Sequence, residues 1–249
     1  MRTIALVVEY DGTGYHGFQR QTSLPTIAGE LDRALSVMCG HDVNVVGAGR
    51  TDAGVHASGQ VVSFETGSDA QVARMPLALS AMLRDKRIAV LRAVEKPAGF
   101  SARYDALARS YLYRILNRVA PSPLHERRAF FVRSPLDLDA MTAAAWPLVG
   151  EHDFTSFCAQ LPDRGRPERS IERLELVRRG DFVEVEVTAD SFLHQMVRII
   201  VGTLVEVGRA KRAPQDVAVM LDARDRKRAG VTAPAHGLYL TGVRYRDPL

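Results

Sequence analysis

Cysteine is nearly absent: Cys39 and Cys158 are the only two. With no CxxC pair and no Cys/His cluster, a disulfide framework and a zinc site of familiar spacing are both disfavoured. The histidines show no HExxH pattern, and Gly-Lys-Ser/Thr, the end of a phosphate-binding Walker loop, never occurs. Long hydrophobic runs are missing as well. No apolar stretch approaches the roughly 18 residues of a membrane span. The opening MRTIALVVEYDG carries a short apolar stretch that stops at Glu9, with no small-residue cleavage site behind it. These absences lead to the expectation of a cytoplasmic protein that does not enter a membrane. Lysine is scarce too, confined to Lys86, Lys96, Lys211 and Lys227.

What remains is ordinary in bulk. Of 249 residues, 46% are apolar and 25% charged, which excludes a disordered or fibrous chain and allows one large or two smaller cores. The net charge is +4 and nearly all the cations are arginine. Arginine's planar fork suits phosphate and stacks on bases, so a nucleic-acid partner is compatible with this composition, as is a GC-rich coding bias.

Alternating or β-rich segments predict strands at 3–9, 60–64, 87–94, 110–116 and 238–245. A hairpin is predicted from 171–177 to 182–187 through Arg179, Gly180 and Asp181. Helical spacing predicts helices at 26–38, 138–149, 192–207 and from Pro214 to about 221, the third apolar on more than one face. Asp137 or Asp139 is placed to cap the second, and Pro147 should distort its last turn. The expected fold is α+β, a mostly antiparallel central sheet flanked by helices, in two similar α+β halves at 1–106 and 107–249.

The most informative stretch is 47–56, GAGRTDAGVH, in which Gly47, Gly49 and Gly54 permit backbone angles closed to other residues. A dinucleotide loop would need glycine where Asp52 stands, and a carboxylate there would repel a pyrophosphate. The loop therefore presents Asp52, with Arg50 two residues away. That pair is either a stiffening ion pair or a reactive carboxylate kept ionised by its neighbour, able to act as base or as nucleophile toward a sugar carbon. His56 follows and is read as a hydrogen-bonding residue that fixes the loop. The run 224–228 (RDRKR) and the arginines 164, 166 and 169 are candidates for phosphate contact or for a solvated face.

GRTDAGVHASGQVVSF (49–64) resembles the signature of the TruA family of tRNA pseudouridine synthases. EYDGTGYHGFQRQ, FSAR, RSYLY, HDFTSF, FLHQMVRIIVG and HGLYL resemble further family blocks, in the family's order across nearly the whole chain. The resemblance implies that Asp52 is the catalytic aspartate, attacking C1′ of a uridine or assisting elimination through a glycal. It implies that Tyr111 stacks on the flipped base and helps remove its C5 proton, and that Arg50 flips the base and holds phosphate. Arg198, inside an apolar helix, would reach the aspartate, and Leu238 would pack on the uracil. It further implies tRNA as partner, anticodon stem-loop uridines at positions 38 to 40 as targets, a homodimer, and no metal or small-molecule cofactor. Ser80 to Arg84, Ile27-Ala28 and Phe18 depart from the family pattern and put local contacts in question. Two other classes compete: a nucleoside hydrolase or glycosylase using the same carboxylate, and an RNA-binding module without activity.

Overall fold

The computed structural model describes residues 1–161 and 166–249. Ten strands are β1 (Arg2–Tyr10), β2 (Val46–Gly47), β3 (His56–Thr66), β4 (Ile88–Lys96), β5 (Ala108–Asn117), β6 (Phe130–Val132), β7 (Gly150–Asp153), β8 (Glu168–Arg179), β9 (Phe182–Ala189) and β10 (Leu238–Arg244). Five α-helices are α1 (Ile27–Cys39), α2 (Met75–Met82), α3 (Leu138–Ala145), α4 (Met196–Gly208) and α5 (Asp216–Ala223). The fold is α+β with mostly antiparallel strands, and two pairings, β3 with β10 and β5 with β6, run parallel.

The chain divides into two compact units, Met1–Arg109 with Tyr239–Leu249, and Ser110–Leu238. The sequence places the last strand in the second half. The fold returns it to the first unit, where Tyr239 pairs with His56 and Leu240 with Ala57.

In the first unit β1 lies between β4 and β3, antiparallel to both. Its inward residues Ile4, Leu6 and Val8 are wholly buried. Helix α1 starts where Thr26 accepts the Gly29 N–H, and it ends at Gly40, whose φ of 73° stops it. Ile27, Ala28, Leu31, Ala34 and Leu35 form its buried stripe. Ile27-Ala28 is thus core. Helix α2 has no counterpart in the sequence reading; Ser80 ties it to β4 by accepting the Val90 N–H at 2.9 Å.

In the second unit β9 lies between β5 and β8, and β8 continues to β7. The expected hairpin is present: Arg179 faces Phe182 across a turn in which Gly180 has φ 60°. Asp137 caps α3 by accepting the Ala140 N–H, and Pro147 lies in the 3-10 turn Trp146–Leu148 that finishes it. Helix α4 is buried nearly all round, as its pattern requires, but begins later than expected because Gln195 is left-handed (φ 59°). Cys39 and Cys158 are free thiols.

Candidate active site

Residues 48–55 connect β2 to β3, and backbone contacts fix them at several points. The Ala48 N–H donates to Val61 O (2.8 Å), Gln60 Nε2 to Gly49 O (2.9 Å), and the Phe18 N–H to Thr51 O (3.0 Å). The Thr51 and Tyr10 hydroxyls are 2.8 Å apart in a buried bond. Burial pushes the Tyr10 phenol up to about 12. The Val55 N–H donates to Asp52 O at 3.1 Å, turning the chain immediately after the half-buried Asp52.

The glycines work differently from each other. Only Gly54 of the three takes a positive φ, 79°. Gly47 is needed for space, since a Cβ there would come within 2.4 Å of the Phe18 ring. Phe18, one of the departures from the family pattern, is buried beneath this loop. From the opposing segment, Gly12 and Gly17 press close enough that a Cβ would lie 2.0 Å from Val55 O and 2.7 Å from Thr51 O.

His56 does fix the loop. Its Nδ1 accepts the Gly12 N–H at 3.1 Å and lies 3.1 Å from Asp11 Oδ1, while its ring stacks on Tyr239 at 4.8 Å. The first contact needs Nδ1 as an acceptor and the second needs it to carry the proton; either joins the Asp11-Gly12 turn to the loop.

Arg50 is exposed and forms no ion pair with Asp52. No pairing of the two is among the ion pairs of the described residues, and an exposed guanidinium gains little from closing a surface pair. Arg109, which the sequence reading passed over as a functional residue, fastens the root of the loop. Its Nε and Nη2 donate to Ala48 O at 3.2 and 2.9 Å, and Nη2 also to Arg103 O at 2.7 Å.

In the second unit Tyr111 is 8% exposed on β5 and meets Phe192 edge-on at 5.1 Å. Tyr113, two residues along, is fully buried and donates to Pro234 O at 2.7 Å. Burial raises its phenol well above the ordinary tyrosine value, against a smaller lowering by Arg198. Arg198 Nε donates to Ala233 O (2.9 Å), and the Ala233 N–H returns a bond to Arg198 O (3.0 Å). Gly202 admits the same strap, because a Cβ there would meet Val231 O at 1.8 Å. Tyr113 and Arg198 thus hold 233–234, the segment leading to the buried Leu238.

The basic run splits. Arg224 pairs with Asp153 (3.2 Å), and Arg226 donates to Gly230 O (3.0 Å) and Thr232 Oγ1 (3.2 Å). Lys227 and Arg228 are exposed and have no side-chain partner among the described residues. Arg169 bonds the carbonyls of Arg166 and Glu168 at 2.6 Å, and Arg164 lies outside the described residues. Among the described residues no group of His, Cys, Asp and Glu is arranged to hold a metal ion, and no helix is long and apolar enough to cross a membrane.

The sequence matches the family model described as tRNA pseudouridine synthase over residues 6–105 and 144–246. The chain belongs to the tRNA pseudouridine synthase family. A tRNA pseudouridine synthase A of Brucella ovis is 44% identical over 245 residues, 98% of each chain, and those of Brucella canis and Brucella suis are equally similar. Among solved structures, a Cbf5-Nop10-Gar1 complex covers 97% of this chain and 50% of that one at 11% identity, with a TM-score of 0.38. The family match covers the loop of Asp52 and the segments of Tyr111's neighbours from 144 onward, Arg198 and Leu238 included; Tyr111 itself lies between the two matched stretches.

Proposed function

We propose that this chain converts uridine to pseudouridine in tRNA, with Asp52 as nucleophile. The observation that carries the reading is the half-buried Asp52 at a turn whose neighbours Gly49 and Thr51 are both pinned through hydrogen bonds. A carboxylate so held can meet a ribose carbon without first being ordered. In the reaction the N1–C1′ bond breaks, the uracil turns within the site, C5 bonds to C1′, the C5 proton leaves and N1 takes one up. No electrons are gained or lost, so the chemistry calls for no redox cofactor.

Tyr111, Arg198 and Leu238 act on the same uridine: the ring lies against the base, the guanidinium holds the carboxylate, and Leu238 packs on the uracil. Arg50, exposed and unpaired among the described residues, fills the place of the extruded nucleotide and holds its phosphate. Lys227 and Arg228 take further phosphates. The substrate region is the anticodon stem-loop, recognised by shape. The enzyme works as a cytoplasmic homodimer of chains each built from two similar halves. What supports these finer points is the likeness of the motifs to the family.

Chemical mapping of pseudouridine in tRNA, with wild type and Asp52→Ala, tests the reading. The wild type should install pseudouridine at anticodon stem-loop uridines without releasing uracil. The variant should install none while binding tRNA almost as well, because phosphate contacts dominate affinity. Free uracil would identify a glycosylase. Unchanged pseudouridine in the variant would remove Asp52 from the chemistry.

A further inference from the structure

Residues 101–104 lie outside every role assigned above, yet their backbone is unusually well fixed. The Ala102 N–H donates to Ser63 Oγ (2.9 Å), and Ala102 O accepts the buried Tyr245 hydroxyl (2.7 Å). Arg103 O accepts from Arg109 Nη2 (2.7 Å), and the Ser101 N–H donates to Asp105 Oδ2 (2.7 Å). On this rigid base the two large side chains point into water. Tyr104 is 79% exposed, and the Arg103 guanidinium lies 5.5 Å from its ring centroid, with no carboxylate partner among the described residues. A cation over an exposed ring is only weakly attracted to it, so the fold gains little from displaying the pair.

The location matters more than the pair. Arg109 Nη2 donates to both Arg103 O and Ala48 O. One nitrogen therefore joins this display to the root of the Asp52 loop, and the two carbonyl oxygens stand no further apart than two hydrogen-bond lengths.

We propose that Arg103 and Tyr104 hold a nucleotide neighbouring the target uridine, its base stacked on the Tyr104 ring and its phosphate on the Arg103 guanidinium. An aromatic face accepts any base, and an arginine fork fits phosphate. The pair grips a strand opened around the flipped nucleotide without reading its sequence. This rests on tRNA being the substrate.

The test compares wild type, Tyr104→Ala, Tyr104→Phe and Arg103→Ala for tRNA affinity, turnover and melting temperature. Tyr104→Ala should raise Kd and KM about tenfold, the effect of losing one stacked base. Its kcat at saturating tRNA and its Tm should match wild type, and Tyr104→Phe should restore affinity. Arg103→Ala should lessen the slope of log K against log salt by about 0.7 to 0.9, one phosphate contact. Tyr104→Ala with wild-type Kd and KM would overturn the proposal. So would a changed oligomeric state with unchanged tRNA affinity, which would make the ring a protein contact. If the wild type forms no pseudouridine, the assigned reaction fails instead, a result that the binding comparison does not share.

Discussion

Thr51 determines how Asp52 is presented. Its hydroxyl meets Tyr10 and its carbonyl meets Phe18, so the residue on either side has little freedom to drift. Thr51→Val keeps the shape but removes one of the two side-chain partners of the buried Tyr10 hydroxyl, Gln60 being the other, at a cost of about 0.5–1.5 kcal/mol. Urea unfolding should show that loss, and tRNA kinetics should show kcat falling more than KM rises. Equal loss in both would mean that the loop grips RNA rather than aiming the carboxylate. Arg50→Lys should reduce turnover severely in the same assay, because a flexible ammonium cannot reproduce a planar fork; near-normal activity would take Arg50 out of the reaction. The turn that carries Asp52 was legible from its cluster of glycines, which mark a loop of special backbone, whereas the role expected of Asp52 came from the resemblance of its motif to the family and not from spacing. The missing Arg50–Asp52 pair was not legible, since spacing gives distance along the chain and not the direction a turn sends each side chain. Arg109 escaped notice for a related reason: its partners are main-chain carbonyls from Ala48 and Arg103, which carry no residue-type signal.

Among the elements, β5, β9 and α1 followed from alternation and periodicity, because each buries mainly one face or stripe, while β1, buried on both faces, followed from its β-rich run and the turn signal behind it. Helix α2 was missed: with Leu77 and Met82 exposed beside the buried Met75 and Leu79, its apolar residues form no single stripe. The early start expected for α4 failed at Gln195, whose left-handed backbone is dictated by its surroundings and not by its type. Helix α4 also offers a paired experiment. Gly202→Ala drives a methyl into the Val231 carbonyl, which cannot yield without moving the strap that carries Ala233. Gly208→Ala meets first the Sδ of Met141, a flexible side chain. Thermal or urea unfolding should find Gly202→Ala the worse by at least about 2 kcal/mol, near the upper range for overpacked sites. Similar stability of the two variants would show that the strap moves easily.

For the molecule as a whole, alkali is the informative stress. Tyr10, Tyr113 and Tyr245 all have phenols raised by burial above the ordinary value of 10.0. Above pH 10 the unfolded chain gives up these protons while the folded chain keeps them, so the folded state binds more protons and stability falls as pH rises. Below pH 10 both states are protonated and the term is flat. The urea midpoint should decline from about pH 10 toward 12, and Tyr10→Phe should soften the decline; a midpoint indifferent to pH there would show these phenols to be wetter than their burial implies. The return of Tyr239–Leu249 to the first unit was the least legible feature at this scale, because a strand's own pattern does not name the distant strand it will join.

That return has a consequence for biosynthesis. β3 follows directly from the Asp52 loop, while its neighbour β10 is translated only after the whole of the second unit. His56 must therefore wait for Tyr239 until the second unit has been made, and the first unit of a nascent chain is unfinished until then. Truncation before residue 239 would leave not a shorter enzyme but an open sheet edge, which quality-control factors can recognise and clear.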